Sequence, residues 1–326
     1  MTQKGMTVRL RSAFVVLAVL LTAACGSPDS GSGKVSLTLG DQANGLKTLF
    51  EASGALQGAS FDYKWAEFQG AAPLFQAMQS NNVDTGVAAD IPTLQAIAGG
   101  LPIKFVAATE SNGQGTAILL RKNSTIKTVA DLKGKEVLVS TARGSVAEYL
   151  LANVLEKAGL KYSDVTVKYA VPTAAQAAFS SGKVEIWAIF GVYQATAVAN
   201  GARTLIDGRD GGTSGIGVIS ASDASLADPK KKAAVTDFLQ CLAKAEQWSA
   251  THADEYAKVY ASKNGVPPDI AKVVVSWGST SLLPVDDAVI ARVQPVSDLM
   301  HKVGVLPTDI KVADHVDTTT YPAATS

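Results

Sequence analysis

Cysteine is nearly absent: of 326 residues only Cys25 and Cys241 carry a thiol, too few for the disulfide framework that small exported domains use. Cys241 falls in the helical run PKKKAAVTDFLQCLAKAEQW beside Phe238, Leu239 and Leu242, the place of a core thiol rather than a nucleophile. Charge of one sign is also missing. Lys plus Arg total 29 and Asp plus Glu total 29, with no basic stripe, which argues against nucleic acid as a partner. Histidine is scarce as well: His252, His301 and His315 all lie in the helical or trailing C-terminal region. No Cys/His metal spacing, phosphate-loop lysine motif or nucleophile elbow occurs, so the chain reads as a non-enzyme without metal or cofactor.

Long apolar runs are limited to one. Lys4, Arg9 and Arg11 precede an apolar stretch at 14–24 that ends in small residues before Cys25. Its length of about a dozen residues is short of the roughly 20 that span a bilayer, so it reads as an export signal. The sequence LTAAC resembles a bacterial lipobox, with Thr22 where leucine is commonest. Residues 1–24 are then the signal peptide, and Cys25 becomes the lipid-bearing first residue of an exported chain held on the periplasmic or extracytoplasmic face. Residues 25–33 form the lipidated cysteine and a Gly/Ser-rich tether. Cleavage removes three cations and no carboxylate, leaving 26 cations against 29 anions, a net charge of −3.

With 47% hydrophobic and 18% charged residues the body has ample core, and its length suggests two lobes. Strand-like runs at 35–40, 61–68 and 83–89 alternate with helical ones at about 45–54, 72–80 and after Asp90-Ile91-Pro92. A second series begins with TAILLRK at 116–122, continues through TVADLKG and strands at 136–140, 165–170, 184–190 and 203–207, and returns through a Gly-rich turn into GVISAS at 217–222. The rest is mostly helical, at about 229–250, 253–264, 268–277 and 286–303. This grammar predicts an α/β fold with mostly parallel sheets and ligand crevices at strand carboxyl ends. If 116–122 and 217–222 are the crossings, lobe one is 34–117 plus 218–326 and lobe two, inserted, is 118–217.

The candidate binding residues follow from those strand ends. In KEVLVSTARGSVAEYLL, a strand reaches a turn of small residues, and Ser145 with Glu148 three residues on fits a capping box. Free amides at Gly144 and Ser145, the helix dipole and Arg143 could hold an anion there, although pure capping explains the same residues. Asp90 is expected as the N-cap of the helix after GVAAD, with direct ligand contact the lesser role. Gln42 and Asn44 end the first strand and offer neutral donors, or ordinary turn chemistry. Trp187 and Phe190 sit three apart near the end of VEIWAIF, so one of them could wall a cleft if it is not core.

The block WAEFQGAAPLFQAMQSNNVDTGVAADIP, with STIKTVADLKGKEV, the turn RGS, AAFSSGKVEIWAIF and LIDG, resembles the aliphatic-sulfonate-binding proteins of ABC importers over residues 35–310. The wider group includes binders of taurine, nitrate and thiamine-precursor pyrimidines, which stand as alternative ligands. The resemblance implies a type II periplasmic-binding-protein fold: two lobes joined by a two-segment hinge, a monomer that closes on a small anion, an alkane- or arylsulfonate, and delivers it to permease subunits. One departure is Gly191-Val192-Tyr193, where sulfonate binders carry Asp-Pro; it should open that wall of the cleft. A desulfinase on the same scaffold is the rival from another class, but it uses a cysteine after the first strand, and LTLGDQANG at 37–45 has none.

Overall fold

The computed structural model describes residues 33–209, 212–278 and 281–323. The expected signal peptide, the lipidated Cys25 and nearly all of the tether lie outside them. In chain order come β1 (Ser36–Gln42), α1 (Gly45–Ser53), β2 (Asp62–Phe68), α2 (Ala71–Gln79), β3 (Thr85–Ala89), α3 (Asp90–Ala98) and β4 (Ile103–Glu110). The second series is β5 (Thr116–Leu120), β6 (Glu136–Val139), α4 (Val146–Lys157), β7 (Thr166–Tyr169), α5 (Pro172–Ser180), β8 (Ile186–Phe190), α6 (Gly191–Ala199) and β9 (Arg203–Asp207). The chain closes with β10 (Ile216–Ser222), α7 (Asp223–Ala227), α8 (Pro229–Thr251), α9 (Ala253–Asn264), α10 (Pro268–Ser276), β11 (Leu282–Leu283) and α11 (Asp287–Lys302). β4, β11 and the short α7 have no counterpart in the expected series.

The strands form two mixed sheets, in the orders β11-β4-β10-β3-β1-β2 and β7-β6-β8-β5-β9. β1 runs parallel to β2 and β3, and β6 runs parallel to β7 and β8, as crossover helices require. β11 runs antiparallel to β4 at the sheet edge; the other antiparallel members are β10, against β3 and β4, and β5, against β8 and β9. These are the strands by which the chain arrives from the other sheet, which is why they run counter to their neighbours. β5 lies wholly in the second sheet and β10 wholly in the first, so the crossings fall between β4 and β5 and between β9 and β10 rather than within the two strands.

Both faces of each sheet are buried. On β5 and β8, Ile118, Leu120, Ile186 and Ala188 meet α4, while Ala117, Leu119, Trp187 and Ile189 meet the core of Ala175 and Phe179 on the opposite face. Leu37 and Leu39 turn toward Phe238, Leu239 and Leu242 of α8, and Phe105 and Val218 toward α3 and α11. α8 starts at Asp228, whose carboxylate accepts from the amides of Lys230 (2.8 Å) and Lys231 (3.2 Å) ahead of a first-turn proline. Its buried residues recur every three or four positions, and each large one contributes about 1.5–3 kcal/mol on burial. Cys241 is buried in this face, which holds its thiol above the ordinary range.

Candidate functional site

The carboxyl ends of the strands converge where the chain crosses between sheets. Thr116, the first residue of β5, pairs with Phe190 at the end of β8, and Ala117 pairs with Asp207 at the end of β9. β4 enters the same crossing, which is tied by Ser111 N to Gly215 O (2.8 Å), Gly191 N to Gly115 O (2.8 Å) and Gln194 Nε2 to Gln114 O (2.8 Å). Contacts across the gap complete the arrangement: α10 packs on α6, Trp277 lies over Gly115, and the Gln95 amide of α3 covers Gly144. The strand-to-helix turns of both sheets are thereby brought to one region, the usual place for a ligand in open α/β folds.

Each turn uses its polar groups differently. At the end of β1, the buried Asp41 carboxylate accepts from the amides of Leu46 (2.9 Å) and Lys47 (3.2 Å), so the first turn of α1 is already occupied. Burial pushes that carboxyl above its ordinary range despite the amides. Gln42 donates from Nε2 to Val87 O (2.6 Å), and Asn44 takes a left-handed conformation as the N-cap of α1 without a side-chain cap bond.

Asp90 departs from the expected role. Ala89 occupies the N-cap and Asp90 is the first helical residue, only 1% exposed; its carboxylate accepts from Ile91 N (2.6 Å) and from the Ser214 hydroxyl in the second crossing. Burial raises that carboxyl to about 6. Asp90 thus fastens α3 to the crossing, and its enclosure removes it from ligand contact.

Ser145 does cap α4, accepting from Glu148 N (3.3 Å). Glu148 reaches one residue beyond a standard box: its buried carboxylate accepts from Gly144 N (2.6 Å), Tyr162 Oη (2.5 Å) and Tyr169 Oη (2.6 Å). Burial, with that acceptor beside it, pushes the Tyr169 hydroxyl up to about 12. An anion arriving at α4 would face this internal carboxylate, and Gln95 stands where a side chain on Gly144 would point. Arg143 is directed elsewhere, donating to the Gly304 carbonyl after α11.

Trp187 is fully enclosed, its indole donating to Ser140 Oγ (2.9 Å) and its ring 5.4 Å from Phe179. The expectation that it could wall the cleft is corrected: period-two alternation in a sheet covered on both sides sends position 187 into the core. Phe190 is half-buried against the core of the second sheet and serves as N-cap of α6. Gly191 follows at φ +62°, with open space where a side chain would begin, and α6 has no side-chain cap.

A cavity of about 370 Å³ lies next to the β1–α1 turn, within the range of small-molecule sites. Gly45, Leu46, Val87 and Thr109 line it at the strand ends; Leu242, Tyr256, Tyr260, Val274 and Val275 supply apolar walls from α8, α9 and α10. The one carboxyl among the described residues lining it is Glu246, which sequence reasoning missed. The signal was present: Leu239, Leu242, Glu246 and Ser249 recur every three or four residues and share the buried face of α8. A second cavity of about 430 Å³ sits against the crossing, where Arg292 donates to Ser214 O and Glu110.

The model of the NMT1/THI5-like family matches residues 65–256. An Escherichia coli (strain K12) protein named for aliphatic sulfonate binding is 30% identical over 254 residues, 77% of this chain and 78% of that protein. The alkanesulfonate-binding protein SsuA of Xanthomonas axonopodis pv. citri, solved bound to MOPS, superposes with a TM-score of 0.79 at 29% identity, covering 87% of this chain and 98% of that one. The desulfurization enzyme DSZB shares the fold, with a TM-score of 0.65 at 16% identity over 88% of this chain and 97% of its own.

Proposed function

The chain belongs to the NMT1/THI5-like family, and from that premise we propose that it is the extracytoplasmic binding protein of an ABC importer, taking a sulfonate-type organosulfur anion. The observation that carries this reading is likeness to sulfonate-binding proteins over three quarters or more of both chains. The convergent strand-end turns agree with it. In this reading the lobes follow the sheets, 34–110 with 216–323 and 116–207, and close about the crossings to present the ligand to a permease. The ligand's hydrocarbon part enters the cavity beside Gln42 and Asn44, and its head group meets first-turn amides, which favour an anion. Among these, the α6 start has no side-chain cap, whereas Asp41 and Glu148 already occupy the starts of α1 and α4.

A desulfinase is disfavoured because no cysteine stands near Gln42 and the only body thiol, Cys241, is buried in α8. Nitrate and pyrimidine ligands are the alternatives within the class, and taurine is an amino-substituted sulfonate. Ligand at about 100 times its Kd should add about 2.7 kcal/mol to stability, a rise of at least a few degrees in Tm. Screening alkanesulfonates, arylsulfonates, taurine, nitrate and pyrimidines by thermal shift tests the reading; a response to nitrate or pyrimidines alone would overturn it. Anchoring through Cys25 is part of the same proposal, and Cys25→Ser should release the protein from membranes after a high-salt wash.

A further inference from the structure

Glu246 is a buried carboxyl without a partner. It is 8% exposed, lines the cavity of about 370 Å³, and among the described residues no hydrogen bond or ion pair reaches its carboxylate. Carboxyls this enclosed are ordinarily paired, because desolvation of the charge is otherwise uncompensated. Among the described residues no lysine or arginine lines the cavity to supply the pair. The wall is suited to a cation in other ways. Tyr256 and Tyr260 present aromatic rings, which attract ammonium groups, and the Asp41 carboxylate behind the first turn of α1 lies close enough to act electrostatically on Tyr256.

We propose that this cavity is an ammonium subsite with Glu246 as its counter-charge, so that the protein prefers amino-substituted sulfonates to plain alkanesulfonates. The inference rests on the sulfonate reading above and narrows its substrate class. An aromatic pocket whose carboxyl ionises against an ammonium offers nothing to a sulfonate head, which orients a zwitterion with its ammonium inward. Burial alone raises the Glu246 carboxyl to about 8, so near neutral pH it must give up its proton as the ammonium enters. The other titratable groups lining the cavity are Tyr256 and Tyr260 on α9, and Asp41, outside the lining, acts on Tyr256. The tyrosine hydroxyls are held above their ordinary range by burial, and Asp41 is shared by both ligand classes.

The test is calorimetric titration near neutral pH with aminopropanesulfonate and butanesulfonate, which match in chain length and differ in the terminal group. The wild-type protein should bind the amino compound about tenfold tighter or more, the typical effect of one charged hydrogen bond. In Glu246→Gln that preference should fall to within about threefold, with Tm checking the fold. Two buffers of different protonation enthalpy should reveal proton release with the amino ligand in wild type and none in the variant. Binding of butanesulfonate without preference for the amino compound, or equal weakening of both in Glu246→Gln, overturns the ammonium subsite alone. Binding of neither overturns the sulfonate reading and the subsite with it.

Discussion

Replacing Glu246 by Gln should change how stability depends on pH, in a direction set by burial. The carboxyl rises from an ordinary 4.5 to about 8 because its charged form is desolvated, with no compensating bond. Below about pH 4.5 both folded and unfolded chains hold the proton, and the residue costs nothing through ionisation. Between about 4.5 and 8 the unfolded chain has released a proton that the folded chain keeps. Stability therefore falls with rising pH, by up to about 1.4 kcal/mol per unit. Above about 8 the cost levels off, at no more than about 5 kcal/mol over the whole window. Asp90 acts in the same sense, but its window ends at about 6 and is common to both proteins, so it cancels in the difference. Glutamine keeps the shape and does not ionise. Urea unfolding of ligand-free wild type and Glu246→Gln at intervals from about pH 5 to 9 measures the effect. The advantage of the variant should grow by a few kcal/mol up to about pH 8 and then flatten. Parallel curves would show that Glu246 is solvated in the folded protein and would remove the physical basis given for its burial.

Trp187→Phe deletes the indole donor and leaves Ser140 Oγ enclosed without it; unfolding free energy should fall by about 1–3 kcal/mol. Sulfonate affinity should stay the same, since neither group reaches the cleft. Gly191→Ala meets no neighbouring atom but forces a Cβ onto a left-handed backbone, so thermal unfolding should show a loss of about 1–2 kcal/mol. Arg143→Ala should alter sulfonate affinity by less than about threefold, because the guanidinium is engaged with Gly304 O; a tenfold loss by calorimetry would return the head group to the α4 start.

Sequence alone determined the features governed by neighbours along the chain. The alternation of strand and helix, the start of α8 at about Pro229 and the Ser145 cap of α4 were all legible, because caps and periodicities act within a few residues. Membership in a two-lobed α/β design followed from the same alternation and from the resemblance of its motifs. Features set by distant partners were decided only in three dimensions. β4 is a strand because β10 and β11 supply its hydrogen bonds from more than a hundred residues away, and IKFVAATE does not announce them. Asp90 is tied by Ser214, 124 residues on, and Arg143 by Gly304, 161 residues on, so neither is left free at a strand end. Trp187 and Ile186 lie on opposite faces of a sheet that is covered on both, and no local pattern tells core from cleft there. Glu246 repeats the lesson in reverse: helical spacing put it on the inward face of α8, but only the packing of α1, α9 and α10 around it left a cavity there with no cation to neutralise it among the described residues.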